Sequence, residues 1–167
     1  LDPGRSTVHF TFDIVDPALW WPNGYGGQPL YRCAVTVAAA GSAAASDIRD
    51  VTFGIRRVEF QPNDVPGATA RPYTLAVNGR KVYIKGWNWV PIDVLYGVPQ
   101  PEKLARLLRL VQAALGNFLR VWGGGLIQTE AFYDLCDRLG ILVWQEFTQS
   151  SSGVDNVPSP SKGVPRR

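Results

Sequence analysis

The chain has 167 residues, of which 46% are hydrophobic and 19% charged, so it can bury a substantial core and is not intrinsically disordered. Its 17 Lys and Arg residues against 14 Asp and Glu give a net charge of only +3, and basic residues follow one another at most in pairs. Nucleic acid is therefore excluded as the expected partner, and because no apolar run approaches the roughly 20 residues needed to cross a bilayer, so is a membrane.

The first 60 residues have the pattern of antiparallel strands. The opening Leu1-Asp2-Pro3-Gly4 has neither an initiator Met nor the apolar stretch of a signal peptide, so we expect the chain to be cut from a longer protein. Short stretches of alternating apolar and polar residues then predict strands at 8–14, 33–37 and 51–60, with a hairpin tip of small residues at 38–46. A complete sandwich needs about 100 residues, so this half is predicted to be the remnant of a β-sandwich.

After residue 72 the pattern changes to strands that alternate with helices, which favours parallel β-α-β units. Asn78-Gly79 predicts a tight hairpin between strands at 73–77 and 81–85. Gly116 and Gly140 are expected to end two amphipathic helices, the second of which begins at Thr129. The apolar stripes of these helices are formed by Leu104, Leu107, Leu108, Val111 and Leu115, and by Phe132, Leu135, Cys136 and Leu139.

Mostly apolar strands are predicted after the two helices, at 118–122 and 141–144. Residues 150–167 are rich in Ser, Pro and Gly without periodicity, which is typical of a loop. Cys33 lies in a strand-like stretch and Cys136 on the apolar side of a helix. Because the two cysteines belong to different elements, both are predicted to be buried thiols.

The ends of the parallel strands carry the candidate binding residues, since the chemistry of parallel α/β folds sits where strands turn toward the following helix. Each of the three ends combines Trp with a hydrogen-bonding side chain, and the candidate substrate-binding residues are Trp87, Asn88, Asp93, Arg120, Trp122, Trp144 and Glu146. Flat rings and polar groups together suit the apolar face and hydroxyl rim of a sugar. A single Trp is more often a core residue, but an Arg within an apolar strand must find a carboxylate partner.

Two other kinds of site fit the sequence less well. Gly123-Gly124-Gly125 is similar to a phosphate-cradling loop, but the dinucleotide and P-loop patterns are absent and Trp122 would crowd a nucleotide. Asp134 and Asp137 are expected to face solvent and form no metal site, because the single His9 is far away in sequence. We therefore expect neither a metal nor an organic cofactor. Glu146 alone cannot supply the pair of carboxylates that sugar hydrolysis requires, so we interpret it as a substrate or scaffold ligand.

A series of motifs follows in a fixed order between about Ala18 and Pro158. They occupy residues 20–26 (Trp-Trp-Pro-Asn-Gly-Tyr-Gly), 28–31, 53–56, 77–79, 85–91 (Lys-Gly-Trp-Asn-Trp-Val-Pro), 117–125 (Asn-Phe-Leu-Arg-Val-Trp-Gly-Gly-Gly), 132–137 and 140–147. In this order they resemble the β-mannosidase branch of glycoside hydrolase family two. Taken individually, only the stretches at 87–91 and 120–125 are specific.

The resemblance implies a modular enzyme in which immunoglobulin-like sandwiches precede a (β/α)₈ TIM barrel and which hydrolyses terminal β-mannosides with retention. Residues 1–61 would then be the end of an immunoglobulin-like β-sandwich, 62–80 a connecting hairpin segment, and 81–158 the first three β/α units of the barrel. Residues 159–167 form an atypical tail where the family would continue into the next barrel helix. The acid/base Glu of the family follows strand four and its nucleophile ends strand seven, so this chain is expected to lack both and to be inactive alone.

Residue roles can be carried over by position. Arg120 matches the strand-two Arg that hydrogen-bonds the nucleophile, and Trp122 matches an aromatic residue that lines the subsite of the cleaved sugar. The other matches to the barrel mouth are Trp87, Asn88, Asp93, Trp144 and Glu146. Glu146 stands where many β-mannosidases carry Asp, which leaves open a sister hydrolase of the β-glucuronidase, β-galactosidase or exo-glucosaminidase type. Trp122 after Arg120-Val121 favours the mannosidase branch, and the same aromatics also fit a non-catalytic carbohydrate-binding module.

Overall fold

A computed structural model describes Gly4, residues 7–63 and residues 73–148 of the chain. Within these ranges it has three small sheets and two helices. The elements in chain order are β1 (Tyr31–Ala38), β2 (Ala45–Phe53), β3 (Val58–Pro62), β4 (Tyr73–Val77), β5 (Arg80–Lys81), β6 (Gly86–Trp89), α1 (Pro101–Ala113), β7 (Phe118–Val121), α2 (Glu130–Leu139) and β8 (Leu142–Gln145).

The β1 and β2 strands form an antiparallel ribbon whose turn lies in the predicted hairpin tip. Cys33 pairs with Val51 in this ribbon, and its thiol is only partly buried because no further layer of the described structure covers a two-stranded ribbon. The prediction of a buried thiol is therefore wrong for Cys33. It is confirmed for Cys136, which is 1% exposed, and both cysteines are unpaired.

Two strand predictions in the first half are wrong. Residues 8–14 form no strand, and the side chains of Val8, Phe10 and Phe12 are exposed, because alternation alone does not supply a partner strand. The single strand predicted at 51–60 is two strands in different sheets, β2 and β3. The strand is interrupted between β2 and β3 because the Trp20 side chain packs against Gly54, and the Ile55 carbonyl accepts the Trp20 backbone N–H at 2.9 Å.

The predicted hairpin at Asn78-Gly79 is confirmed. It joins β4 to β5, and both turn residues have positive φ, 50° and 79°, as the favoured two-residue hairpin turn requires. The β3 strand pairs with the other edge of β4 to complete a three-stranded antiparallel sheet.

The predicted β-α-β pattern of the second half is also confirmed. The β6, β7 and β8 strands are parallel and hydrogen-bonded in that order, and α1 and α2 connect them. Both helices bury most of their apolar stripes on one face of this sheet. The end predicted for the first helix at Gly116 is wrong, because α1 ends at Ala113, and Leu115 lies beyond it with positive φ and is exposed. The core that results contains Trp89, Leu104, Leu108, Leu119, Val121, Phe132, Cys136 and Ile141. Thr129 precedes α2 as predicted, although its hydroxyl makes no capping hydrogen bond, and Gly140 ends α2 in the left-handed region at φ 73°.

The first parallel strand lies later in the chain than predicted. The sequence predicted a strand at 81–85 with Trp87, Asn88 and Trp89 beyond its end, but β6 itself contains these three residues. Their side chains therefore alternate between the two faces of the sheet. Trp89 packs among the helices, so Asn88 lies on the opposite face.

Residues 20–28, which we call the docking segment, join the two halves of the chain. Trp20 is fully buried in a second core with Leu75, Val77, Val82 and Leu142, and its indole N–H donates to the Asp137 carbonyl at the end of α2 at 2.7 Å. Asn23 donates its backbone N–H to the Gly140 carbonyl at 2.8 Å. Its side-chain amide donates to the carbonyls of Gln112 at 2.9 Å and Gly116 at 3.0 Å. The segment thus caps the carboxyl-terminal ends of both helices.

The described helices are α1, with 13 residues, and α2, with 10, and neither is long and apolar enough to span a membrane. The predicted loop at 150–167 lies outside the described residues.

Candidate functional site

A row of three side chains crosses the sheet on the face away from the helices. Asn88 of β6 lies in register with Arg120 of β7, and Arg120 with Trp144 of β8. Since side chains of adjacent parallel strands in register point the same way, these three lie side by side near the carboxyl ends of the strands. Three of the seven candidate residues are therefore neighbours.

Arg120 is held by partners on both neighbouring strands. Its Nε donates to Glu146 Oε1 at 2.7 Å, Nη2 donates to the same oxygen, and Nη1 donates to Asn88 Oδ1 at 3.0 Å. The other carboxylate oxygen of Glu146 accepts the backbone N–H of Gly123 at 3.0 Å. The carboxylate partner predicted for Arg120 is thus Glu146, in a pair whose side chains are 34% and 25% exposed.

Trp144 flanks this pair, and Trp122 lies in the loop that follows Arg120. Trp144 is half exposed, and the Arg120 guanidinium carbon lies 6.0 Å from its ring centroid, at the outer limit of a cation–π contact. Trp122 follows Arg120 by two residues, and its indole packs so closely on Gly124 that a Cβ at that position would overlap it. Glycine at 124 therefore allows the Trp122 ring to lie against the backbone of its own loop. In this loop the Gly125 N–H donates to the Trp122 carbonyl at 3.0 Å.

Trp87 and Asp93 are not part of the row. Trp87 lies on the helix-facing side of β6, where its ring packs against Gly116 just before the start of β7, at the opposite end of the sheet. It is placed there because β6 begins at Gly86, which makes Trp87 a strand residue of the same parity as Trp89.

Asp93 pairs instead with Lys103 of α1, whose Nζ lies 3.0 Å from Oδ2. Hydrogen bonds from Gln100, from the Leu95 amide and from Lys103 hold the pKa of Asp93 well below its usual value. This carboxylate lines a mainly apolar groove of about 370 Å³ between the β6–α1 and β7–α2 loops.

Sequence reasoning missed two contributors to the site. The buried Gly123 contributes its peptide N–H, a group that no side-chain pattern reveals, although the glycine run marked the loop. Gln145 accepts the Tyr133 hydroxyl at 2.6 Å and donates to the Glu146 carbonyl at 2.7 Å, so it fixes the backbone of Glu146 against α2. The signal in the sequence that could have identified Gln145 was its position next to the candidate residue Glu146.

Asp137 departs from the prediction that it faces solvent freely. Burial raises its pKa, while Arg56, 3.9 Å away, opposes this and Asp134 adds to it. Among the described residues, no group of three or more His, Cys, Asp and Glu side chains could hold a metal ion.

Comparisons with known proteins identify relatives that match most of the chain. The family model described as glycosyl hydrolases family 2 matches residues 2–56. Beta-mannosidase B of Thermothelomyces thermophilus is 38% identical over 156 residues, which are 93% of this chain and 17% of that protein. Beta-mannosidase B of Emericella nidulans is 35% identical over 149 residues, 89% of this chain and 17% of that protein. The chain thus spans about a sixth of the length of these relatives.

Solved structures with the same fold include the β-D-mannosidase of Dictyoglomus thermophilum, with a TM-score of 0.66 and 38% identity over 80% of this chain and 16% of that chain. The sequence and structural matches together confirm the resemblance inferred from the motifs, to glycoside hydrolases of family 2 and, among them, to β-mannosidases.

Proposed function

We propose that the full-length protein containing this chain is a retaining glycosidase that hydrolyses terminal β-mannosides. In this proposal residues 1–61 end an immunoglobulin-like sandwich, 62–80 connect, 81–158 supply the first three β/α units of a TIM barrel, and 159–167 form a tail. The identity of 35–38% to two β-mannosidases over most of the chain supports this, as does the parallel order of β6, β7 and β8.

The observation that carries the proposal is the Asn88–Arg120–Trp144 row with Glu146 beside it. It combines an exposed aromatic face with amide and guanidinium donors at the carboxyl ends of parallel strands, where barrel enzymes bind their substrates. Arg120 and Glu146 neutralise each other, so the row offers a surface without net charge. Such a surface suits a neutral sugar better than a uronic acid, which favours a mannoside over a glucuronide.

The mechanism requires two carboxylates that flank the scissile bond, one as nucleophile and one as general acid and base. We place both in the part of the full-length protein that follows this chain. The residues of this chain would then bind the sugar and orient the nucleophile. Arg120 would keep the nucleophile ionised and aligned through its rigid fork of donors. Trp122 and Trp144 would stack on the apolar faces of the sugar.

The test is hydrolysis of a panel of aryl glycosides by a polypeptide extended to the length of its relatives. We expect turnover of the β-mannoside and little of the β-glucuronide, β-galactoside or β-glucosaminide. The 167-residue chain should turn over none of them above buffer background, because the carboxylate pair would be absent. Preference of the extended protein for another of these sugars would assign it to a different glycosidase of the same family. Sugar binding without any hydrolysis would indicate a carbohydrate-binding module.

A further inference from the structure

We infer that Glu146 is a positioning residue, which fixes the guanidinium of Arg120 and does not bind the sugar. This rests on the proposed function, because it concerns how a glycosidase site is organised. Of the two roles that the sequence left open for Glu146, substrate ligand and scaffold ligand, it selects the second.

Both oxygens of the Glu146 carboxylate are engaged within the protein. Oε1 accepts from Nε and Nη2 of Arg120, and Oε2 accepts from the Gly123 amide. A carboxylate that binds a sugar directs its oxygens at hydroxyl groups, whereas these oxygens are directed at a side chain and a backbone of β7 and its loop. The side chain is also only 25% exposed, although it follows the last residue of β8.

The backbone of Glu146 is fixed as well. Its amide donates to the Val121 carbonyl at 3.2 Å, which continues the β7–β8 ladder by one residue, and its carbonyl accepts the Gln145 side chain at 2.7 Å. The carboxylate is therefore presented from a rigid backbone, as a group that orients another side chain requires.

The contact with Glu146 decides which edge of Arg120 can face a substrate or a second carboxylate. The Nε–Nη2 edge of a guanidinium makes two-point contacts, and Glu146 occupies that edge through one oxygen. Any further acceptor must approach from the Nη1 side, which Asn88 flanks. Removal of the negative charge at 146 would release the guanidinium to rotate, and the Gly123 loop beneath Trp122 would lose its anchor.

The kinetic test compares Glu146→Gln, Glu146→Asp and a control, Glu130→Gln, in the extended protein with an aryl β-mannoside. Glu130 is an exposed residue in the first turn of α2. We expect Glu146→Gln to lower kcat by about a hundredfold with little change in KM, because a misplaced orienting group slows chemistry without removing a sugar contact. Glu146→Asp keeps the charge and should retain more kcat than Glu146→Gln, and Glu130→Gln should match the wild type.

Other kinetic outcomes would overturn the inference. A rise in KM with unchanged kcat would make Glu146 a sugar ligand. A fall in thermal midpoint with normal kcat per folded molecule would make it a structural residue only. Restoration of Glu146→Gln turnover by azide would make it the general acid and base, since a small anion can replace a missing base in that role.

A second measurement does not depend on catalysis. In the extended protein, labelled selectively at its arginines, the Nε–H resonance of Arg120 is identified by its loss in Arg120→Lys, and we expect Glu146→Gln to shift it and to increase its exchange with solvent. An unchanged resonance would overturn the inference directly. If the extended protein cleaves no glycoside while this resonance does shift, the proposed function fails and the contact that positions Arg120 stands.

Discussion

Two ion pairs lie near the carboxyl ends of the parallel strands, and their side chains are held differently. Arg120 and Glu146 bind across adjacent strands, whereas Asp93 lies in the β6–α1 loop and binds Lys103 of α1. The Asp93 carboxylate also accepts hydrogen bonds from its own loop, so its ionised form is favoured in the folded state. The first pair therefore shapes the candidate site, and the second fixes the loop beside it.

The lowered pKa of Asp93 predicts a pH-dependent contribution to stability. A depressed carboxyl pKa stabilises the folded state fully above the unfolded value, about 3.9, and this stability is lost as the pH falls toward the folded value. Asp93→Asn should therefore lower the thermal midpoint at pH 7, and the difference from wild type should shrink below about pH 4. Asp13→Asn, at an exposed position, is the control. A difference that stays constant down to pH 2 would contradict the assignment.

The two thiols are predicted to differ in reactivity. Burial raises the pKa of Cys136 to about 12, while Cys33 is only partly buried in the β1–β2 ribbon. Because the thiolate is the reactive species, an alkylating reagent should label one cysteine per folded chain, at Cys33, and the second only after denaturation. Cys33→Ser should abolish labelling of the folded chain. Rapid modification of both cysteines in the folded state would show that Cys136 is accessible.

At the scale of single residues, the sequence predicted the chemistry better than the geometry. The need of Arg120 for a carboxylate followed from its place in an apolar strand, and the structure supplies Glu146. Trp87 was grouped with Asn88 because the first strand was predicted too early in the chain. A strand that begins at Gly86 places these neighbours on opposite faces, and a shift of boundary cannot be detected from residue types alone.

At the scale of elements, the helices were predicted well and the first-half strands poorly. Both helices have an apolar stripe that one sheet face can bury, so local spacing carries the information. Strand formation depends on a partner elsewhere in the chain. Residues 8–14 alternate between apolar and polar side chains but form no strand. The β3 strand follows β2 in the chain but pairs with β4. The break between β2 and β3 depends on Trp20, about 35 residues earlier, which no local pattern includes.

The docking segment is the element most dependent on a single side chain. The Asn23 amide reaches carbonyls of Gln112, in the last turn of α1, and of Gly116 beyond it. Asn23→Ala should lower the free energy of unfolding by about 2 kcal/mol, since partly buried carbonyls lose a donor. Amide hydrogen exchange should accelerate in the last turn of α1. Ser42→Ala, in the exposed turn between β1 and β2, should change neither measurement. Equal stability of Asn23→Ala and wild type would show that water replaces the amide.

At the scale of the whole molecule, a shared core couples the two halves. Trp20 from the first half packs with Leu75, Val77 and Val82 of the antiparallel sheet region and with Leu142 of β8. The guanidinium carbon of Arg56 lies 4.3 Å from the centroid of the Trp20 ring, and Nη1 of Arg56 lies 3.9 Å from Oδ1 of Asp137 in α2. Electrostatic contacts as well as apolar packing therefore join the two halves. The first half therefore supports the sheet that carries the candidate site, from the end opposite to that site.

The last prediction concerns the face of the parallel sheet that lies away from the helices. In the described part of the chain, β6 and β8 are both edges of the sheet, and large apolar side chains beside them are exposed, such as Trp144 at 57% and Phe147 at 84%. Exposed edges and apolar patches promote association, so the isolated 167-residue chain should self-associate and bind an apolar dye.

Extension to the length of its relatives should reduce both self-association and dye binding if added strands cover this face. Phe147→Glu should reduce association of the short chain, whereas Phe10→Glu, at a side chain 83% exposed but outside the strands of the sheet, should not. Light scattering and dye fluorescence on the same samples test this, and a wild-type chain that stays monomeric and binds no dye would contradict it.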